Sequence, residues 1–326
     1  MTGMDRGRQT RWLVLAGLLV AAFAGTVLTL NLTLYSASGF VGSYLNALAR
    51  HDAAGALSLR GVEAPSGVSR QLLVSQAMGD LEDIRLVSDA DKGGGRHSVT
   101  YSYLAAGQKG STTFEVRHTG PRLGLFSGWA FEASPIAPLT VTPLHDEEFR
   151  VNGLDVASAA GAGTPTSYGV FSPGGYVLSH ASRYFTAAKT TAVVTGTGPV
   201  EATVDIQANA AFVKEVQKQL DDHLDKCVTQ KVLLPTGCPM GKQISDRIQD
   251  EPRWSMVTYP VVTIVPGPEP GTWAVPATPG SAHLKVTVKS IFDGSVSVFD
   301  QDVPFDVRYL ITFPPDGTLL ITAQYD

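Results

Sequence analysis

The chain has 326 residues, with 25 Lys+Arg against 30 Asp+Glu, for a formal net charge of −5. That balance excludes the concentrated basic face a nucleic-acid binder needs. Two cysteines are too few for a disulfide-dense scaffold or a four-thiolate zinc site. Hydrophobic residues, at 44%, suffice for real cores, and the length suggests more than one domain.

The first element is the most extreme. From Trp12 to Leu30 no charge interrupts the chain, and the uncharged stretch runs on through Tyr35. As a helix, residues 12–35 would reach roughly 36 Å, enough to cross a hydrocarbon core of about 30 Å with some tilt. Trp12 and Tyr35 stand at its ends, where amphipathic rings favour the interface. Arg6, Arg8 and Arg11 precede it against the single acid Asp5, and the next cation is Arg50. The positive-inside rule therefore predicts a cytoplasmic tail at 1–11, a transmembrane helix at 12–35 and an ectodomain outside. A cleaved signal peptide has a shorter apolar region, and Ser36-Ala37-Ser38 is a poor cleavage site. Setting aside the tail's three cations and one acid leaves 22 against 29, so the ectodomain is near −7.

Residues 36–138 read as helices followed by strands. Val41, Tyr44, Leu45 and Leu48 give a one-sided apolar face, Asp52 can cap a second short helix, and Ser69–Met78 is a further helical stretch. After Gly79 the period becomes 2, through Ile84 and Leu86, then Val99, Tyr101 and Tyr103, then Phe114 and Val116, then Trp129 and Phe131. Turns are expected at 92–95, 107–110 and 119–121. Val41-x-x-Tyr44-Leu45-x-Ala47-Leu48-x-x-x-Asp52-Ala53-Ala54, followed by strands, resembles the nuclear-transport-factor-two-like (cystatin-like) fold. The resemblance implies a cone of helix on antiparallel sheet, common just outside bacterial membrane anchors, and transfers no activity.

Ser134–Pro138 reads as a linker, and residues 139–206 as a small β-sandwich. Asn152-Gly153 between Phe149-Arg150-Val151 and Leu154-Asp155-Val156 is a hairpin signal, since both residues tolerate positive φ. With Pro173-Gly174-Gly175-Tyr176 it is similar to PEGA-type surface modules. Residues 207–326 repeat the first plan. A helix carries Phe212, Val216, Leu220, Leu224 and Cys227 on one face, and strands follow at Val257/Tyr259/Val261, at 284–288, at 303–313 and at 319–323. The fold class expected is thus one transmembrane helix followed by α+β, with two cone-like helix-on-antiparallel-sheet domains flanking a β-sandwich. The serial layout behind an anchor loosely resembles teicoplanin-resistance-associated envelope proteins of bacteria. Those carry a cysteine zinc ribbon before the anchor, where this chain has no cysteine.

Chemistry is sparse in the sequence. Cys227 and Cys238 form an even pair in the compartment where a pair oxidises, and the turn residues between them let the chain fold back. A metal at this pair would require His223 beside Cys227 on the helix. Nucleophile-elbow, S-x-x-K and H-E-x-x-H motifs are missing. The carboxylates at 145–148 and 221–225 lack alternate ligand spacing and read as a solvated linker and a helix's polar face. Tyr101, Tyr103, Phe114, His118 and Trp129 are the candidate pocket lining. They would either line a ligand pocket, with His118 near Glu132 able to do acid–base work, or simply build an ordinary core with a rim histidine. No catalytic, metal or cofactor residue is assigned. The expected partners are the lipid bilayer through 12–35 and another envelope protein or cell-wall component, with no nucleic acid. The function expected is a single-pass, non-enzymatic envelope module. A small-ligand receptor or sensor is the alternative, followed by a hydrolase or isomerase in a cone pocket.

Overall fold

The computed structural model describes residues 4–122, 124–314 and 318–324, so the first three residues of the expected tail lie outside the described residues. The apolar run is helical to Leu32 in α1 (Met4–Leu32), which begins within the expected tail and ends short of Tyr35, residues 33–35 forming a turn. Its stretch Thr10–Leu32, 23 residues containing an 18-residue window of mean hydropathy 2.4 with no buried residue, is long and apolar enough to cross a membrane. Ser36 ends this segment and starts the next: its hydroxyl accepts the Gly39 N–H at 3.0 Å and caps α2 (Ala37–Ala49). Asp52 caps α3 (Ala53–Leu57) in the same way, through the Gly55 N–H at 2.8 Å.

Four strands follow as an antiparallel meander in sequence order: β1 (Leu81–Gly93), β2 (Arg96–Ala105), β3 (Gln108–Arg122) and β4 (Phe126–Phe131). Val41, Tyr44, Leu45 and Leu48 of α2 bury against Val99, Tyr101, Tyr103, Phe114, Val116 and Phe131. Each such large apolar side chain contributes about 1.5–3 kcal/mol on burial. Two expectations fail here. Thr119–Pro121 is not a turn, because β3 continues past a bulge between His118 and Gly120 and pairs Pro121 with Ser127. Nor is 69–78 a helix; only Ser75–Ala77 makes a 3-10 turn. Leu72 and Ala77 enter the second core while Leu73 and Met78 enter the first. A single helical face cannot feed two cores from adjacent residues.

The second sheet contains β5 (Ile136–Leu144), β6 (Glu148–Val151), β7 (Leu154–Ala157), β8 (Thr166–Phe171), β9 (Gly174–Ala181), β10 (Phe185–Val194) and β11 (Val200–Ala208). Their order is β7-β6-β9-β10-β11-β5-β8, with β5 and β11 parallel. Phe149 of β6 meets Tyr168 of β8 at 6.0 Å between ring centroids, so the sheet curls until strands far apart in it share one core. Asn152 and Gly153 take φ of 49° and 90° in the β6–β7 turn, as expected. Of the linker expected at 134–138, residues 136–138 are instead the start of β5. Its prolines are tolerated because each sits where one neighbour is missing. Pro138 precedes the first rung with β11, and Pro143 follows the last rung with β8.

The third unit is α4 (Ala210–Cys227) laid on β12 (Arg247–Ile248), β13 (Arg253–Thr258), β14 (Val265–Pro266), β15 (Trp273–Lys289), β16 (Val296–Thr312) and β17 (Leu320–Ala323). β15 is the spine: β16 lies along one edge, and β12, β13 and β14 share the other. The inward residues of β13 are Trp254 and Met256, while Val257 and Val261 face out, the reverse of the expected register. The ladder stops at Thr258 because Pro260 has no N–H to offer and Gln217 of α4 takes the segment instead. Gln217 donates to the Pro260 carbonyl at 2.9 Å and accepts from the Val262 N–H at 3.0 Å. Phe185 of β10 stacks on Trp273 at 4.9 Å and meets Phe212 and Phe313, so the second and third sheets share an aromatic joint.

Candidate functional site

A concavity forms where α4 crosses its sheet. The 3.6-residue period of α4 turns Val216, Leu220 and Leu224 toward the strands. One position round the helix, Gln219 and His223 face a cleft of about 480 Å³. The opposite wall is Val307, Tyr309 and Ile321 of β16 and β17, and the far end is closed by Gly237, Cys238 and Pro239. Asp306 and Arg308 add polar groups at the rim.

That closing loop is held in several ways. Cys227 and Cys238 form a disulfide with an S–S distance of 2.04 Å. The His223 Nε2 lies 2.9 Å from the Gly237 carbonyl, to which it donates, and the Gln230 side chain accepts the Thr236 N–H at 2.9 Å. Trp254 Nε1 donates to the Val232 carbonyl at 2.8 Å. His223 does join Cys227 on the helix, its Nε2 lying 3.6 Å from the sulfur. Their ligand atoms and the Cys238 sulfur lie within 4.8 Å of one another. Both sulfurs are committed to the disulfide, however, and it is thiolate that binds metal. The cluster is a staple with a histidine beside it.

The five residues expected to line a pocket in the first unit are divided. Tyr101, Tyr103 and Phe114 are buried core side chains. The Tyr101 hydroxyl donates to the Ser38 carbonyl at 2.9 Å, and Tyr103 bonds to Thr112. Burial, aided at Tyr101 by the nearby Asp89 charge, raises both phenols. His118 is exposed at the start of the bulge, edge-on to Trp129 at 5.4 Å. Glu132 lies 4.0 Å from Arg96. Trp129 donates to the Tyr35 carbonyl at 2.8 Å and lines a hollow of about 300 Å³ with Leu34, Tyr35, Phe40 and Arg60.

The acidic stretch 221–225 is occupied by its neighbours. Lys218 bonds Asp222 at 2.6 Å and holds its carboxyl below the usual range. Tyr259 donates to Asp225, which pushes the phenol up to about 12. A group the sequence reading missed lies on the outer face of the β15–β16 hairpin. His283 Nδ1 is 2.7 Å from Asp302 and its Nε2 2.7 Å from Asp300, and these hydrogen bonds raise the imidazole above its ordinary value. Only the cross-strand register, His283 opposite Asp302 and Lys285 opposite Asp300, makes this cluster visible.

The cleft sets Val216, Leu220, Val307 and Ile321 beside Gln219, His223, Asp306, Arg308 and Gln324, a mixed lining able to contact both apolar and polar groups. No protein-family model, curated protein or solved structure matches the chain.

Proposed function

We propose that the protein is a single-pass, membrane-anchored envelope module, non-enzymatic, with its amino terminus in the cytoplasm and its carboxy-terminal ectodomain outside. In this reading the cleft between α4, the disulfide loop and β16–β17 engages another envelope component, a protein or cell-wall constituent. The observation that carries it is the 23-residue apolar stretch whose last turn is bonded into the first sheet. Asn31 donates to the Leu125 carbonyl at 2.9 Å and accepts the Ser127 N–H at 2.8 Å. A leader destined for cleavage has no reason to be built into the domain that follows it. The three arginines ahead of the uncharged run, in the first turns of α1, support the orientation, and the disulfide supports an oxidising compartment.

The likeness of the first unit to the nuclear-transport-factor-two-like cone, and of the middle sheet to PEGA-type modules, belongs to the same proposal. A second reading, a small-ligand receptor, is favoured by the cleft's size alone, since about 300–1,000 Å³ is the range of small-molecule sites.

Chemical crosslinking in the native membrane, followed by identification of the adducts, tests the function. A reproducible adduct with one envelope component is expected, and consistent absence of any such adduct contradicts the proposal. External protease on intact cells tests the orientation: residues 36–326 are expected to be digested, and full protection would overturn it.

A further inference from the structure

We infer that the first sheet unit rests on the outer face of the bilayer through its β3–β4 hairpin, a second membrane contact that sets the ectodomain's attitude. This builds on the reading of α1 as a membrane span, and its geometry follows from that helix.

Twenty-three residues from Thr10 to Leu32 rise about 34 Å against a hydrocarbon core of about 30 Å. Asn31, one residue from the end, therefore stands at the outer boundary of the core. Its side-chain amide bonds both the Val27 carbonyl of its own helix, at 3.1 Å, and the Leu125 carbonyl of the hairpin, at 2.9 Å. The hairpin backbone is thus pinned at the depth of the helix's last turn. It cannot stand clear of the lipid while that bond holds.

The side chains at this level suit the position. Leu125 is 48% exposed, and Leu32 and Leu34 are more so, at 71% and 63%. Behind them Phe126 stacks on Tyr35 at 4.3 Å, and Trp129 donates to the Tyr35 carbonyl. Aromatic rings with one apolar side and one polar partner are what the headgroup region favours. Arg60 lines the adjoining hollow and donates to Thr119 at 3.2 Å, placing a cation beside the phosphate layer. No water-facing role accounts for three exposed leucines grouped at the end of a membrane helix. The bilayer that holds α1 is the surface they meet.

The test uses the full chain in phosphatidylcholine vesicles, with single cysteines carrying a nitroxide label. The two native cysteines are paired and do not compete. Leu125→Cys keeps the backbone carbonyl that Asn31 holds, and Leu34→Cys is a second position at the same level. Leu19→Cys, in the middle of α1, reports whether the helix is inserted, and Val257→Cys, exposed in the third unit, gives the aqueous reference. The ratio of oxygen to nickel-chelate collision at residues 34 and 125 is expected to lie several-fold above that at 257 and below that at 19. Water-like ratios at both 34 and 125 with a lipid-like ratio at 19 would overturn the hairpin contact alone. A water-like ratio at 19 would instead overturn the anchor on which it rests.

Discussion

In the first sheet unit, α2 presses Tyr44, Leu45 and Leu48 into a sheet already bearing Tyr101, Tyr103, Phe114 and Phe131, and that face is filled, the unit's hollow lying to one side beside Tyr35 and Trp129. In the third, a single 18-residue helix crosses a sheet built on two 17-residue strands, and its end overhangs a cleft instead. Both units use a helix on an antiparallel sheet, so the plan does not decide where a hollow forms. What differs is the packing under the helix. The first unit puts tyrosines and phenylalanines under α2, whereas the third puts Val216, Leu220 and Ile321 beside the cleft, with Tyr309 in its wall, and gathers Phe185, Phe212, Trp273 and Phe313 at the joint with the second sheet. A disulfide loop then closes the end that side chains leave open.

The sharpest way to break the comparison is Tyr44. It is fully buried, and its hydroxyl sits 3.0 Å from both the Pro135 and Ser172 carbonyls, tying the first unit to the second. Tyr44→Ala should destabilise the first unit by about 3–5 kcal/mol, and Tyr44→Phe by about 1–3 kcal/mol through loss of the hydroxyl donor to the Ser172 carbonyl, the Pro135 carbonyl keeping the Ser172 N–H. Hydrogen exchange resolved by peptide should show the loss in β1–β4, with α4 unchanged. An equal loss in both units would mean the cores are not separable. Next in size is the disulfide. Replacing both cysteines by serine should cost about 3 kcal/mol for a loop of this length, read as a lower denaturation midpoint confined to the third unit.

Gln219→Arg probes the cleft without touching the core. Its stability cost should stay within about 0.5 kcal/mol, while crosslinking through the cleft falls. A large stability loss would show the cleft to be a packed surface. The smallest effect is electrostatic. His283, raised by Asp302 and Asp300, adds stability that is fully present below its ordinary value of 6.5 and is lost as pH rises through its raised folded value. Nuclear magnetic resonance titration should show Asp302→Asn lowering that value toward 6.5. An unchanged value would remove the hydrogen bond as its cause.

Features carried by local spacing were legible in the sequence. The faces of α2 and α4, the meander after Gly79, the Asn152-Gly153 turn and the cysteine pair all follow from periods and turn chemistry within about twenty residues. What depended on tertiary partners was not legible. Residues 69–78 are shared between two cores, Pro138 enters a strand whose neighbour arrives 62 residues later at Val200, and 259–264 follows Gln217 rather than its own alternation. The cleft escaped for the same reason. Its walls come from 216–223 and 321–324, a hundred residues apart, and no spacing rule connects them.

The central claim is that an anchored stalk presents the third-unit cleft to another envelope component. A photocrosslinking residue at Gln219, in the cleft, and another at Thr113, on the exposed face of the first sheet, test it in intact cells. The account predicts one dominant envelope adduct from position 219 and none from 113. No adduct from 219, or the same adducts from both positions, would contradict it.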